Sequence, residues 1–262
     1  PFFTGVYSDN WFTECAYSRK AVIDARDIVF QHHHFLATGQ EPDATYQRQN
    51  SPQAYHEGKA ILDQLHSGND WSTVPGYFNF WQFYGMMAKR LKDGDTVCEI
   101  GVLLGRSVIF LAQLCQRLGK KVNFIAVDTF KGEAGQKEHE RLVAKHGGSI
   151  EPEFRRNLDR CLPACLSACD AQAGGVGNTF RVVPLDSTIA AAEVDGGSLA
   201  LCFIDAAHDY DSVKGDITAW LPKVRKGGIL AGHDIMHEPV ERAVRELLPD
   251  AVVNKPVWMQ KV

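Results

Sequence analysis

The chain has 262 residues, 45% of them hydrophobic and 23% charged, with a formal net charge of −4. That length suits one large α/β domain with an appended segment, or two small domains. The charge balance offers no basic field for a nucleic acid, and no apolar run reaches the ~18–20 residues of a bilayer span, so neither partner is expected. The opening PFFTGVYSDNW lacks the basic-then-apolar pattern of a secretory leader. Seven scattered cysteines do not resemble a disulfide framework, and a reducing cytoplasm is the expected compartment.

Residues 1 to about 92 read as a helical, aromatic-rich extension. Val22, Ala25, Val29 and Leu36 share one helical face, which Gly39 can end. His32, His33 and His34 point in different directions on such a helix and do not gather into one metal site. Ser51 as N-cap, with Pro52 behind it, starts a second helix that ends near Gly68. The run WSTVPGYFNFWQFYGMM, residues 71–87, is expected to pack this segment onto the main domain; a pocket wall and a subunit contact are the alternatives.

From about residue 93, short apolar strands alternate with helices. The strands are predicted at 96–101, 122–128, 179–185, 198–205 and 227–234, and the last twelve residues offer one or two more. Helices are predicted at 107–118, 189–193, 212–224 and 239–248. This rhythm predicts an α/β fold with a parallel, doubly wound sheet, whose ligands bind beyond the carboxyl ends of the strands. Residues 131–178 interrupt it as a helical insertion after the second strand, and its length marks it as a lid candidate. Within it Cys161, Cys165 and Cys169 share a helical face, but their spacing is not a common zinc pattern.

The first strand runs into EIGVLLGRS, residues 99–107. Its glycines permit a sharp turn and a close backbone approach to a ligand. The spacing is neither G-x-G-x-x-G nor a P-loop, so a ligand without a pyrophosphate fits better. Asp128 ends the second strand, where a carboxylate can accept hydrogen bonds from both ribose hydroxyls; a simple N-cap is the competing role. A nucleoside without pyrophosphate describes S-adenosylmethionine, and Asp186 with Ser187, after the third strand, can reach its adenine.

Taken together, EIGVLLGRS, AVDTF, PLDS and FIDAAHDYDSVKGDITAWLPKVRKGGILAGHDI resemble the class I S-adenosylmethionine-dependent methyltransferases. The resemblance is to the branch holding the macrocin and mycinamicin sugar O-methyltransferases and the cephalosporin-biosynthesis methyltransferase-like proteins. It covers roughly residues 93–245 and matches no motif in 1–92 or 131–178. It implies a Rossmann-like methyltransferase domain over 93–262, with cofactor contacts at Glu99, Gly101, Gly105, Ser107, Asp128, Thr129, Asp186 and Ser187. It further implies a divalent cation, magnesium by expectation, held by Asp205 and by the pair His233-Asp234, with Asp205 and His208 as the catalytic residues and His208 as general base.

His233 departs from that pattern, standing where related enzymes carry a carboxylate or an amide. Three readings follow: His233 stands behind the ligands, the site takes a softer ion, or no metal is used. The function expected is O-methylation of a sugar, glycoside or small polyhydroxylated acceptor. The alternatives are a metal-independent O- or N-methyltransferase and a non-catalytic nucleoside-binding module. The N-terminal extension is a candidate homo-oligomer contact.

Overall fold

The computed structural model describes residues 51–52, 68–133, 135–163 and 178–262. The helix expected from Val22, with its three histidines, most of the helix begun at Ser51, and Cys165 and Cys169 lie outside the described residues. The chain divides between Asn69 and Asp70, and the unit Asp70–Val262 carries everything discussed below. Residues 70–92 of the expected extension pack within this unit. No helix among the described residues is long and apolar enough to cross a membrane.

The strands are β1 (Thr96–Ile100), β2 (Asn123–Val127), β3 (Thr179–Val183), β4 (Leu199–Ile204), β5 (Val224–Gly232), β6 (Val252–Asn254) and β7 (Val257–Lys261). They form one seven-stranded sheet in the order β3-β2-β1-β4-β5-β7-β6. β1 to β5 pair in parallel, while β7 runs antiparallel to both β5 and β6. The terminal residues thus supply two strands that cover the β5 edge. β1 lies between β2 and β4, so the chain order reverses beside it, and a crevice opens at the carboxyl ends.

Side chains alternate across this sheet. Val97, Phe124, Leu201, Phe203 and Ile229 fill one face, against α1 (Trp81–Arg90), α2 (Arg106–Arg117) and α4 (Glu151–Cys161). Cys98, Ile100, Ile125, Cys202 and Leu230 fill the other, against α6 (Tyr210–Trp220) and α7 (Glu238–Leu247). Burial on both faces is why the strands read as continuous apolar runs. The helix expected at 212–224 stops at Trp220, where Pro222 turns the chain into a short 3-10 segment before β5. Its start at Tyr210 is fixed by Asp209, whose side chain accepts the Ser212 N–H.

The aromatic run packs inward. Phe78, Phe80 and Tyr84 contact one another and reach Phe110 of α2 or Phe203 of β4 at ring-centroid separations of 4.7–5.0 Å. The insertion divides in two. α3 (Lys137–Lys145) buries no residue, whereas α4 buries Phe154, Leu158 and Cys161 in the core. Asn157 of α4 donates from Nδ2 to the Leu104 carbonyl at 3.1 Å, and Gln113 of α2 donates to the Cys161 carbonyl at 3.0 Å. α4 is therefore a structural helix, and the expectation of a lid does not extend to it. Truncating its fully buried Phe154 should lower unfolding stability by ~3–5 kcal/mol, read as a shifted urea midpoint. A loss under ~1 kcal/mol would return α4 to the status of a loose cover.

Candidate active site

At the end of β1 the chain turns at Gly101, with φ +84°. A Cβ there would lie 2.0 Å from the main-chain oxygen of Asp205, so both backbone angle and space require glycine. The Gly101 N–H donates to Val127 O and the Asp205 N–H to Ile100 O, both at 2.8 Å. The ends of β2, β1 and β4 are thereby stitched together.

Asp128 follows β2 and closes over the glycine turn. Its Oδ2 accepts the Leu103 N–H at 2.8 Å and its Oδ1 the Phe130 N–H at 2.7 Å. Burial pushes this carboxyl above its ordinary range, against the pull of those N–H donors. Leu103 (φ 48°) and Phe130 (φ 56°) both hold left-handed backbone angles, as does Asp234 (φ 56°). Among the described residues these are the non-glycine positions with positive φ, and all three border the site.

A cavity of about 540 Å³ opens here, within the usual range for small-molecule sites. Gly101, Asp128, Thr129, Asp186, Ser187 and Asp205 all line it. Asp186 also caps the short helix α5 (Ser187–Ala190) by accepting the Thr188 N–H, and Ser187 Oγ accepts the Trp220 Nε1–H at 2.9 Å. Glu99, Gly105 and Ser107 are not in the lining. Glu99 is fully buried beneath the turn, where it accepts hydrogen bonds from Tyr84 at 2.7 Å and from Ser107. Gly105 begins α2 at φ 92°, and a Cβ there would press on the Phe154 ring at 3.0 Å. These three residues shape the turn from below.

Beside the cavity lies a cluster of carboxylates and imidazoles. Asp205, after β4, and Asp234, after β5, meet His208; the three offer one ligand atom each within 4.8 Å of one another. His208 Nε2 lies 2.7 Å from Asp234 Oδ2, and its Nδ1 lies 3.3 Å from both oxygens of Glu133. His233 Nδ1 is 3.0 Å from Asp234 and 3.4 Å from Asp205, while its Nε2 is 2.7 Å from Asn79 Oδ1. His237 adds a contact at 3.7 Å to Asp234. The bond to Asp234 pushes His208 up to about 9, against its burial and with help from Glu133. Burial alone would lower His233, yet Asp205 and Asp234 push it up to about 9. Burial alone would raise Asp234, yet hydrogen bonds from His208 and His233 hold it well below the carboxylate range.

Residues 98–235 match a family model described as a methyltransferase domain, which spans more than half of the chain. The chain belongs to that family. It is an S-adenosylmethionine-dependent methyltransferase of class I, with the Rossmann-like sheet of that class. Among solved structures it is similar to the O-methyltransferase NovP, at 18% identity and TM-score 0.48 over 69% of this chain and 78% of that one. It is also similar to the calicheamicin methyltransferase CalS11, at 16% identity and TM-score 0.46 over 92% of this chain and 97% of that one. A third is cofactor-bound Rv0187 from MTB, at 18% identity and TM-score 0.43 over 77% of this chain and 88% of that one. Comparison with curated proteins gave no match.

The methyltransferase cavity fits the family's cofactor. The glycine turn lets main chain form part of its wall, a carboxylate stands at the end of β2, and no phosphate-binding loop is present. Sequence reasoning missed three neighbours of the cluster. Glu133 lies 75 positions from His208 and Asn79 lies 154 from His233, too far apart for any local pattern to link them. His237 opens α7 and looks in the sequence like an ordinary helix-start residue.

Two outcomes are expected of the glycine turn and its buried acid. Gly101→Ala should destabilise the methyltransferase by more than ~2 kcal/mol and abolish calorimetric binding of S-adenosylhomocysteine. Glu99 is raised from 4.5 to about 8, chiefly by burial. The folded state therefore holds this proton more tightly than the unfolded state. The associated stability is present below pH 4.5 and lost as pH rises through about 8. Glu99→Gln should flatten that decline when urea midpoints are compared across the interval. An unchanged slope would mean that Glu99 titrates as an ordinary carboxylate.

Proposed function

We propose that this methyltransferase is a cation-assisted O-methyltransferase of the sugar-modifying branch. Its acceptor is a hydroxyl of a sugar, glycoside or other small polyhydroxylated molecule in a reducing cytoplasm. The observation that carries this reading is the double position of Asp205, which lines the cofactor cavity and belongs to the cluster with His208 and Asp234. A group that borders both supports a reading in which the methyl donor and the acceptor lie side by side.

Bound S-adenosylmethionine supplies a methyl group on a positively charged sulfur. Asp128 accepts hydrogen bonds from the ribose, since a carboxylate oxygen that takes one N–H retains a lone pair for a second donor. Asp186 and Ser187 border the purine end. Asp205 and Asp234 would hold a divalent cation, whose positive charge would lower the acceptor hydroxyl's pKa. His208 receives the proton at Nε2, and Glu133 at Nδ1 fixes the plane of the ring. Paired with Asp234 and Glu133 the imidazole is pushed up to about 9, which favours the cation at neutral pH. It serves as a base only when the charge of Asp234 is engaged elsewhere, as a cation there would do.

The test pairs radiolabelled methyl donor with a panel of glycosides and polyols. Chelation should stop transfer, and magnesium or manganese should restore it. Asp234 does not line the cavity, so Asp234→Asn should lose cation-stimulated turnover while its affinity for S-adenosylhomocysteine stays unchanged. His208→Ala should slow transfer ~10²–10⁴-fold with cation still bound. Full activity after chelation would favour metal-independent transfer, and labelled nitrogen acceptors would favour an N-methyltransferase. Cofactor binding without transfer to any acceptor would favour a nucleoside-binding module.

A further inference from the structure

His233 stands where the sequence resemblance leads one to expect an oxygen donor, and its surroundings determine how the ring is presented. Its main-chain N–H is held by the Ile204 carbonyl at 3.0 Å, and its ring lies 4.9 Å from that of Phe80. Nε2 meets Asn79 Oδ1 at 2.7 Å, the distance of a good N–H···O bond. An amide oxygen only accepts, so Nε2 carries a hydrogen. Nδ1 then faces Asp205 Oδ1 at 3.4 Å and Asp234 Oδ2 at 3.0 Å. The side chain is 13% exposed, which leaves the ring little freedom to turn away.

We propose that Asn79 is a positioning residue that presents His233 Nδ1 as a nitrogen donor to the cation held by Asp205 and Asp234, making the site selective for a transition-metal ion such as Mn²⁺ over Mg²⁺. The inference rests on the cation reading above and adds the third ligand and the class of ion. Magnesium takes oxygen ligands in near-ideal octahedra, whereas imidazole suits manganese, iron and zinc. A hydrogen bond to the far ring nitrogen is the usual device that fixes a ligating histidine's tautomer, and its loss typically costs 10–100-fold in metal affinity.

A generic N/O site already ranks transition ions above magnesium, so the decisive measurement is how His233 and Asn79 change that ranking. Calorimetry of the full chain with Mn²⁺ and with Mg²⁺ should show a wide gap for the wild type. His233→Asp should narrow it by at least tenfold, weakening Mn²⁺ relative to Mg²⁺. Asn79→Leu should weaken Mn²⁺ by ~10–100-fold, and Asn79→Asp, which retains an acceptor, should restore most of it. Pulsed EPR of bound Mn²⁺ gives a readout independent of turnover. Nitrogen coupling should be present in the wild type, persist in His208→Ala and vanish in His233→Asp.

Three results would overturn the inference. Mn²⁺ bound with no nitrogen coupling would make His233 a bystander and leave the cation reading intact. Coupling lost in His208→Ala and kept in His233→Asp would give the nitrogen to His208. A wild-type chain that binds neither ion would remove both this inference and the cation reading. Circular dichroism of each variant separates a lost ligand from a lost fold.

Discussion

The closest constraint among the described residues is the contact between two main chains, Gly101 after β1 and Asp205 after β4. They pass so near each other that a single Cβ at 101 would collide with the Asp205 carbonyl. The contact is possible because β1 and β4 are hydrogen-bonded neighbours whose chains leave the sheet at the point where strand order reverses. From it follows the floor of the cavity. From it also follows the position of Asp205 at the end of β4, within reach of Asp234 after the neighbouring β5. Asp128, on the other side of β1, closes over the same turn. Two carboxylates that line the cavity, Asp128 and Asp205, are thus placed around one packing contact between strand ends.

Around that floor the polypeptide accepts conformations that cost free energy. Leu103, Phe130 and Asp234 adopt left-handed backbone angles that bulky side chains avoid. Two of these residues are the ones whose N–H groups reach Asp128, and the third is the carboxylate that three imidazoles approach. Glu133, Asp205 and Asp234 interleave with His208, His233 and His237, so carboxylates and imidazoles alternate. A core of fully buried aromatic and aliphatic groups on both faces of the sheet holds this arrangement in place.

Much of this was legible from local pattern. The glycine turn, the acidic ends of β2 and β4 and the parallel sheet all show in runs of fewer than ten residues, because strand, turn and helix start are consecutive in the chain. Glu99 was misread for a physical reason. It opens the motif, but alternation along β1 aims it at the same face as Val97, beneath α1, rather than at the crevice. Ser107 and Gly105 followed it inward. α4 was hidden because its partners, Gly105 and Phe130, lie far upstream, and its few apolar residues look surface-like beside six charged ones. Glu133 and Asn79 reach the histidines only through folding, so no spacing announces them.

The hydrogen bond from Tyr84 to Glu99 ties the sheet to residues upstream of β1. Family motifs begin at β1, and a shortened chain starting there would look complete by sequence. It would lack the phenol that donates to one oxygen of a fully buried acid, and it would strip Phe80, Phe83 and Tyr84 from the face of Phe203. A buried acid left with Ser107 as its one remaining donor, and bare aromatics under the glycine turn, favour aggregation over folding. A unit cut for grafting, fusion or domain exchange should therefore keep the chain back to Asp70, whose side chain caps the first 3-10 turn and pairs with Arg117.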